Sequence, residues 1–315
     1  MERPDFTVPL IRTRQGILAS GIGDNEIQRA VRTGTLVRLR AGCYVDGPLD
    51  DKDLRASLGA RVGAVGVRLG DSGVFSHATA ADLWGLPFLG EPPDTTHVTV
   101  PRTAHGVRRA KVHQHTGSLV PEEIVALGGI RLTTVPRTLV DVARTEGFRA
   151  GVVMADCALR RCPDPEGLRR AMEASIRRLT GAVGIGQARR VAGFAVAEAE
   201  SPGESLSRVI FNEQGVPAPQ LQFPLVLRMP GGWTQHCRTD FAWERQRLVG
   251  EFDGKAKYER YVRRGESPGD VVFREKRRED ALRAAGWRVL RWTWEELGDP
   301  AALGRRVRDA LAEDG

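Results

Sequence analysis

Two predicted strands in the C-terminal third of the chain, joined by a tight polar turn, constrain the fold more than any other feature of the sequence. The first strand is predicted over 236–243, the turn over 244–247 and the returning strand over 248–253. If the hairpin is symmetric about Arg245 and Gln246, Asp240 lies directly opposite Glu251. Asp253 shares a sheet face with Glu251, because strand side chains alternate between the two faces.

Three carboxylates on one sheet face repel each other unless something offsets their charge. A divalent cation can do so, and oxygen ligands favour Mg²⁺ or Mn²⁺. The alternative is an exposed hairpin with its acids in water, offset by Arg238 or Arg247. The sequence therefore predicts either a metal site at Asp240, Glu251 and Asp253 or a solvated acidic face, and a shift of the register by one residue would remove the metal prediction.

The spacing of these acids and the motifs around them resemble a known nuclease family. Ten residues separate Asp240 from Glu251, and Lys255 follows; the motifs are TDF at 239–241, LVGEFDG at 248–254, REDAL at 278–282 and GWRVLR at 286–291. Together they resemble the PD-(D/E)XK nuclease superfamily, in its very-short-patch-repair-endonuclease-like branch. The resemblance implies a restriction-endonuclease-like α/β sheet domain over 201–315 and metal-dependent hydrolysis of phosphodiesters in DNA.

The resemblance also implies roles for particular residues of this domain. Asp240 and Glu251 would bind Mg²⁺ or Mn²⁺, which activates a water molecule and stabilises the transition state. A lysine would stabilise the hydroxide or the scissile phosphate. Lys255 and Lys276 are the two candidates, because Asp253 stands where the family pattern has its lysine.

Glu204 matches the family's helix glutamate, which is a further metal ligand. The segment SPGE at 201–204 is also the pattern of a helix capping box, with Ser201 as the N-cap and the glutamate at the third helical position. The two roles are compatible, and both stay open at the level of sequence.

The N-terminal region predicts a winged helix-turn-helix domain over 1–50. A short helix capped by Thr13 is followed by a turn at 21–23, a second helix capped by Asp24 and a hairpin over 36–45. No acidic residue lies between Glu26 and Asp46. The second helix and the hairpin carry the predicted DNA-binding residues Arg29, Arg32, Arg38 and Arg40. This pattern suits a helix in the major groove of double-stranded DNA and a wing on its phosphates; a small helical domain with a basic face is the alternative.

Several segments resemble AbiEi-type antitoxins of abortive-infection systems. In the N-terminal region they are the stretch from GI at 21–22 to RAV at 29–31, GTLVR at 34–38 and GCYV at 42–45. In the middle region they are SHATAA at 76–81, LWGLP at 83–87 and LTTVPRTLVD at 132–141. Those antitoxins are transcriptional autorepressors, so the resemblance implies operator DNA and a cognate toxin protein as partners.

The middle region, 51–200, predicts an α+β domain. Helices are predicted near 52–69, 76–84, 136–145, 148–160, 164–178 and 187–197, and strands near 96–100, 107–115 and 130–133. Ser76 and His77 suggest a nucleophile and a base, but no acid can be placed beside them, so a helix cap is the favoured interpretation. His113 and His115 share a strand face near His105, and two histidines make a poor ligand set, so they predict a basic surface strand.

Charge and hydropathy narrow the class of protein. The chain has 315 residues, 47 basic and 40 acidic, and its net charge of +7 fits either a polyanionic partner or a solvated basic surface. No apolar run reaches the roughly 18 residues of a spanning helix and the start resembles no signal peptide, so we expect a cytoplasmic protein without membrane contact. The sequence predicts a multidomain α/β and α+β protein, which is either a metal-dependent DNA endonuclease or a non-catalytic antitoxin and autorepressor with a degenerate nuclease fold.

Overall fold

The chain divides into two units, each with its own sheets. The computed structural model describes residues 6–50, 52–70, 73–101, 108–109, 111–229, 232–254 and 268–313. The first unit comprises Met1–Met154 and Arg161–Gly193, and the second comprises Ala155–Arg160 and Phe194–Gly315. Both units combine helices with sheets, which confirms the predicted mixed α/β, multidomain class.

The first unit begins with a three-stranded antiparallel sheet and two short helices. Its elements are β1 (Arg12–Thr13), α1 (Arg14–Ala19), α2 (Asp24–Arg32), β2 (Leu36–Arg40) and β3 (Cys43–Asp46), and the strand order is β1-β3-β2. Ile17, Ile27 and Tyr44 form its core. The predicted order of helix, turn, helix and hairpin is therefore present.

The sequence predicted the N-cap of α1 correctly and that of α2 wrongly. Thr13 caps α1 as predicted, since its hydroxyl accepts a hydrogen bond from Gly16 N at 3.0 Å. Asp24 does not cap α2; the N-cap is Gly23. The carboxylate of Glu26 reaches back to accept from Gly23 N at 2.8 Å, while that of Asp24 is occupied by Arg14.

The rest of the first unit packs helices on a six-stranded mixed sheet of order β6-β7-β5-β4-β9-β8. Val62, Phe75, Leu83, Val98 and Leu132 are at the centre of its core. The elements are α3 (Leu54–Leu69), β4 (Val74–Phe75), α4 (His77–Leu83), β5 (Thr96–Val100), β6 (Arg108–Arg109), β7 (Val112–Thr116), β8 (Ile124–Leu127), β9 (Ile130–Thr133), α5 (Val135–Thr145), α6 (Gly147–Arg161), α7 (Pro165–Arg178) and α8 (Ile185–Phe194). Within α6, Ala155–Arg160 belong to the second unit.

One strand prediction in this region is wrong. Residues 107–115 do not form a single strand, because β6 folds back antiparallel onto β7 with Arg109 paired to Val112. Lys111 lies between the two strands with φ +64°, in the left-handed region that reverses the chain. The alternation of residue types in the sequence does not show that the backbone reverses direction here.

The second unit is built on a four-stranded sheet of order β10-β11-β12-β13, in which β10, β11 and β12 are antiparallel and β13 is parallel to β12. The ring of Phe211 packs edge-on against Phe241, Trp243 and Trp292. The elements are α9 (Pro202–Glu213), β10 (Gln220–Arg228), β11 (Thr234–Trp243), β12 (Leu248–Asp253), α10 (Pro268–Ala284), β13 (Arg288–Thr293), α11 (Trp294–Leu297) and α12 (Pro300–Ala312).

Candidate functional site

The β11–β12 hairpin has the register that the sequence predicted. Phe241 pairs with Gly250, Ala242 with Val249 and Trp243 with Leu248, around a 3-10 turn. Continuing this register by one pair places Asp240 opposite Glu251. The carboxylate of Asp240 accepts a hydrogen bond from Phe252 N at 2.9 Å, which ties it to the neighbouring strand.

Two arginines hold the buried carboxylate of Glu251, whose exposed fraction is 8%. Arg278 on α10 forms an ion pair with one oxygen at 2.7 Å, and Arg291 on β13 donates to the other at 3.1 Å. Arg291 is placed by register, since it lies beside Glu251 across the parallel β12–β13 pair. The charge of Glu251 is thus offset by groups from two other elements.

The two arginines that the sequence suggested as counter-charges lie elsewhere. Arg238 forms an ion pair with Glu200, and the guanidinium of Arg247 lies over the ring of Trp287 at 5.0 Å from its centroid. Proximity in the hairpin sequence therefore pointed to the wrong arginines. The partners of Glu251 come from a later helix and strand, which spacing within the hairpin cannot identify.

Glu204 lies at the third position of α9 and is 3% exposed. Its carboxylate accepts hydrogen bonds from Glu200 N at 2.8 Å, from the Ser201 hydroxyl at 2.8 Å and from the Gln222 side-chain amide at 3.1 Å. The hydroxyl of Ser201 in turn accepts from Glu204 N at 3.2 Å. The predicted N-cap at Ser201 is confirmed, while Glu204 binds the backbone one residue before the position that a capping box uses.

Two substitutions at Glu204 test whether the hydrogen bonds of its carboxylate stabilise the fold, apart from any role as a metal ligand. We expect Glu204→Ala to lower the free energy of unfolding by about 1–3 kcal/mol, because it leaves buried donors unpaired. Glu204→Gln is expected to cost less than about 1 kcal/mol, since its amide oxygen can accept from Glu200 N and Gln222 while its NH₂ group donates to Ser201. Urea unfolding of both variants checks this; equal losses would contradict a stabilising role of these hydrogen bonds.

The remaining predicted residues of the nuclease-type site are not gathered into one ligand set. Lys276 is exposed on α10, Asp253 is half-buried at the end of β12, and Lys255 lies outside the described residues. Among the residues that the structure describes, no three carboxylates of this unit bring ligand oxygens within 4.8 Å of one another. With its oxygens facing guanidinium groups, Glu251 does not fit a bound cation in this arrangement, and the Mg²⁺ or Mn²⁺ site stays a prediction.

The predicted DNA-binding arginines present an uncompensated positive surface on α2 and β2. Arg29, Arg32 and Arg38 are exposed and Arg40 is half-buried. Within the described part of the chain, none of the four forms an ion pair. The acids of the same region are already used, as the following contacts show: Asp24 binds Arg14, Asp46 binds Arg12 and Glu26 binds Gly23 N.

A cluster of four histidines in the first unit was not predicted as a site. His77 begins α4, His97 lies on β5, and His113 and His115 lie on β7. The rings of His77 and His115 stack at 3.6 Å between centroids, those of His113 and His115 at 4.0 Å, and His115 Nε2 is 3.1 Å from His97 Nδ1. His77, His113 and His115 line a cavity of about 550 Å³.

Burial keeps the imidazoles of His77 and His115 neutral. It lowers the pKa of His77 well below its ordinary value, and the neighbouring His97 ring and the positive charge of Arg144 act in the same direction. Burial and the proximity of His77 lower the pKa of His115 to about 2. A neutral imidazole carries one lone pair on a ring nitrogen, so His115 has the protonation state that metal ligation requires.

Ser76 and His77 do not form an accessible catalytic pair. Ser76 is fully buried and is the N-cap residue of α4, as predicted, although its hydroxyl makes no capping hydrogen bond. The hydroxyl instead hydrogen-bonds to His77 Nδ1 at 2.9 Å and accepts from the Thr99 hydroxyl at 2.8 Å. The acid that the sequence could not place is Asp141, with its Oδ1 4.0 Å from His77 Nε2. Because no solvent reaches Ser76, nucleophilic attack on a substrate is not supported.

A buried ion-pair network forms one wall of the same cavity. Arg137 binds Glu123 through Nη1 at 2.7 Å and Asp141 through Nε at 3.0 Å, and all three side chains are almost fully buried. Arg144 binds the second oxygen of Asp141, and Arg178 binds Glu123. Burial outweighs these contacts and raises the pKa of Asp141. For Glu123 burial acts the same way, but a hydrogen bond from a serine and its arginine partners outweigh it and hold its pKa below the usual value.

The sequence has relatives in Mycobacterium tuberculosis that match over nearly their whole length. It is 31% identical over 286 residues to "Uncharacterized protein Rv2248" of strain H37Rv, covering 88% of this chain and 93% of the relative. The same values hold for "Uncharacterized protein MT2308" of strain CDC 1551. The chain belongs to the family of these mycobacterial proteins.

One solved structure is distantly similar to this chain. A crystal structure of the RV2827C protein from Mycobacterium tuberculosis is similar over 60% of this chain and 78% of that chain, with 16% identity and a TM-score of 0.38. No family model matches the sequence. Among the described residues, no helix is both long enough and apolar enough to cross a membrane.

Sequence signals for the histidine cavity did exist, although they did not identify it. The segment LTTVPRTLVD contains Arg137 and Asp141 four residues apart, a spacing that pairs them on one helix face. The alternation in β7 placed His113 and His115 on one face. The third histidine, His97, came from a strand whose pairing with β7 the sequence did not reveal.

Proposed function

We propose that this protein is a DNA-binding regulator that acts in the cytoplasm, with α2 and the β2–β3 hairpin as its DNA contact. The observation that supports this is the set of unpaired arginines on α2 and β2, in a region whose acids are all used elsewhere. Arg29 and Arg32 lie on the exposed side of α2, opposite buried Ile27, where a helix entering the major groove presents its side chains. Arg38 and Arg40 on the hairpin suit phosphate contacts.

The resemblance to AbiEi-type antitoxins supports regulation as the outcome of DNA binding. We propose autorepression at the operator of its own gene, and a cognate toxin as the protein partner. The arginine-bound Glu251 supports a C-terminal domain that keeps a nuclease-type fold without cleaving DNA. A gene for a nucleotidyltransferase-type toxin beside its own gene, whose product copurifies with this chain, would support the toxin partner.

Binding of the full chain to DNA fragments from upstream of its own gene tests the regulatory proposal. We expect tighter binding to one of these fragments than to a mixed-sequence duplex, and weakening of both as salt increases, because arginine–phosphate contacts release counterions. Fluorescence anisotropy over a salt series measures both properties. An absence of binding at low salt would overturn the proposal.

Metal-dependent DNA cleavage is the second candidate function. The specific observation that favours it is the β11–β12 register, which, continued by one pair, sets Asp240 opposite Glu251 as the symmetry of the hairpin predicted. Cleavage would need Glu251 to exchange its arginine partners for a cation. The residues that would hold the ion are Asp240, Glu251, Asp253 and Glu204, and the ion would activate a water molecule.

Incubation of supercoiled plasmid with the full chain and Mg²⁺ or Mn²⁺ separates the two functions. We expect no nicking above an EDTA blank, because Glu251 is neutralised by Arg278 and Arg291. Asp240→Ala and Glu251→Ala serve as controls for contaminating nuclease. Metal-dependent nicking that is lost in both variants would establish the nuclease function instead.

A further inference from the structure

Three histidines of the first unit converge on one side of the six-stranded sheet. In the parallel β5–β7 pair, His97 lies beside His113 and Thr99 beside His115. Because strand side chains alternate, His113 and His115 project from the same face of β7, and the contacts of both with His97 place all three on that face. The ligating nitrogens of His97, His113 and His115 all lie within 4.8 Å of one another.

The spacing of these nitrogens matches that of ligands around a metal ion. His115 Nε2 and His97 Nδ1 are 3.1 Å apart. Two nitrogens bound at about 2.0–2.1 Å to a tetrahedral Zn²⁺ are separated by about 3.3–3.4 Å. In the metal-free protein these two nitrogens share a hydrogen bond. A shared ion would take the place of the proton between them, with shifts of a few tenths of an ångström. Backbone hydrogen bonds hold the strand in place, since His97 N donates to the Thr79 hydroxyl at 2.8 Å and His97 O accepts from Ser76 N.

The cavity beside the histidines is large enough for a small ligand from solution. His113 and His115 form part of its wall, and its volume is about 550 Å³. Arg137, Arg144 and Arg178 also line it, and their charges are partly offset by Glu123 and Asp141. A fourth coordination position facing this cavity would suit water or an anion.

We propose that His97, His113 and His115 bind a divalent transition-metal ion of the Zn²⁺ type, with its fourth coordination position open to the cavity. Imidazole nitrogens favour Zn²⁺, Co²⁺, Ni²⁺ and Cu²⁺ over Mg²⁺ or Ca²⁺, which prefer oxygen. Three protein ligands with one open position is the arrangement of sites that bind exogenous ligands, whereas structural sites have four protein ligands. None of the three histidines belongs to the predicted DNA contact or to the C-terminal carboxylates.

The first test is metal binding by the full chain. Protein stripped with chelator is equilibrated with Zn²⁺ or Co²⁺, and bound metal is measured by elemental analysis after removal of free ion. We expect one equivalent per chain, and for Co²⁺ the visible absorption of a tetrahedral site. Addition of azide should change the Co²⁺ spectrum if an open position faces the cavity. Excess Mg²⁺ should leave the bound metal in place.

Variants locate the site. His113→Ala and His115→Ala, both at half-buried positions, should weaken binding by more than the roughly 10- to 100-fold that loss of an outer-shell partner costs. His236→Ala is the matched control, because His236 is an exposed histidine of the second unit. It should bind like the unmodified chain, and circular dichroism of the metal-free proteins verifies folding. Binding far below one equivalent, or binding unchanged in both cavity variants, would overturn the proposal.

Discussion

Replacement of Arg137 by methionine is expected to destabilise the first unit by about 3 kcal/mol, the low end of the range for breaking a buried ion pair, because it removes one of the two arginine partners of two buried carboxylates. The guanidinium bridges Glu123 and Asp141, which are 2% and 0% exposed. It also donates to Ser118 O. Methionine fills much of the volume but supplies no donor, so Glu123 keeps only Arg178 and Asp141 keeps only Arg144 as an arginine partner.

The measurement has to report on the first unit alone. Hydrogen exchange of peptides from α5 and β9, followed by mass spectrometry, gives the free energy of opening in that unit. Arg177→Met is the matched control, since Arg177 forms an exposed pair with Glu173 on α7 and surface pairs contribute only about 0–1 kcal/mol. A loss below about 1 kcal/mol in Arg137→Met would mean that the buried network is not a major source of stability.

Removal of Arg38 and Arg40 together is expected to weaken DNA binding and reduce its dependence on salt. Each phosphate contact contributes about −0.9 to the slope of log K against log salt, so the double alanine variant should lose about 1.8 of that slope. Arg29→Ala and Arg32→Ala act on the helix instead. If Arg29 and Arg32 contact bases, each substitution should weaken binding to the preferred fragment by about 1–3 kcal/mol. The loss on a mixed-sequence duplex should be smaller.

A charge-matched control distinguishes contact from a general change in net charge. Arg170→Ala combined with Arg177→Ala also removes two positive charges, from exposed positions on α7 where each arginine has an acidic partner. We expect this variant to bind DNA like the unmodified protein. Equal loss of affinity and slope in both double variants would mean that α2 and the hairpin are not the DNA contact.

Features set by neighbouring residues were predictable from the sequence. The β11–β12 register followed from strand alternation and a short polar turn, and the observed pairs agree with it. The N-cap role of Ser201 followed from four consecutive residues. Most helices of the middle region lie within a few residues of their predicted positions, because apolar periodicity and caps are local signals.

Long-range pairing of strands and helices decided the chemistry of both candidate sites. Arg278 and Arg291 reach Glu251 only because α10 and β13 pack beside β12, and His97 joins His113 and His115 only because β5 pairs in parallel with β7. Parallel strands are joined by long crossovers, so sequence spacing carries no record of which residues become neighbours across them. The sequence by itself determined the local elements and the hairpin that carries the acids. The tertiary structure decided that two arginines meet Glu251, and that three histidines meet in the other unit.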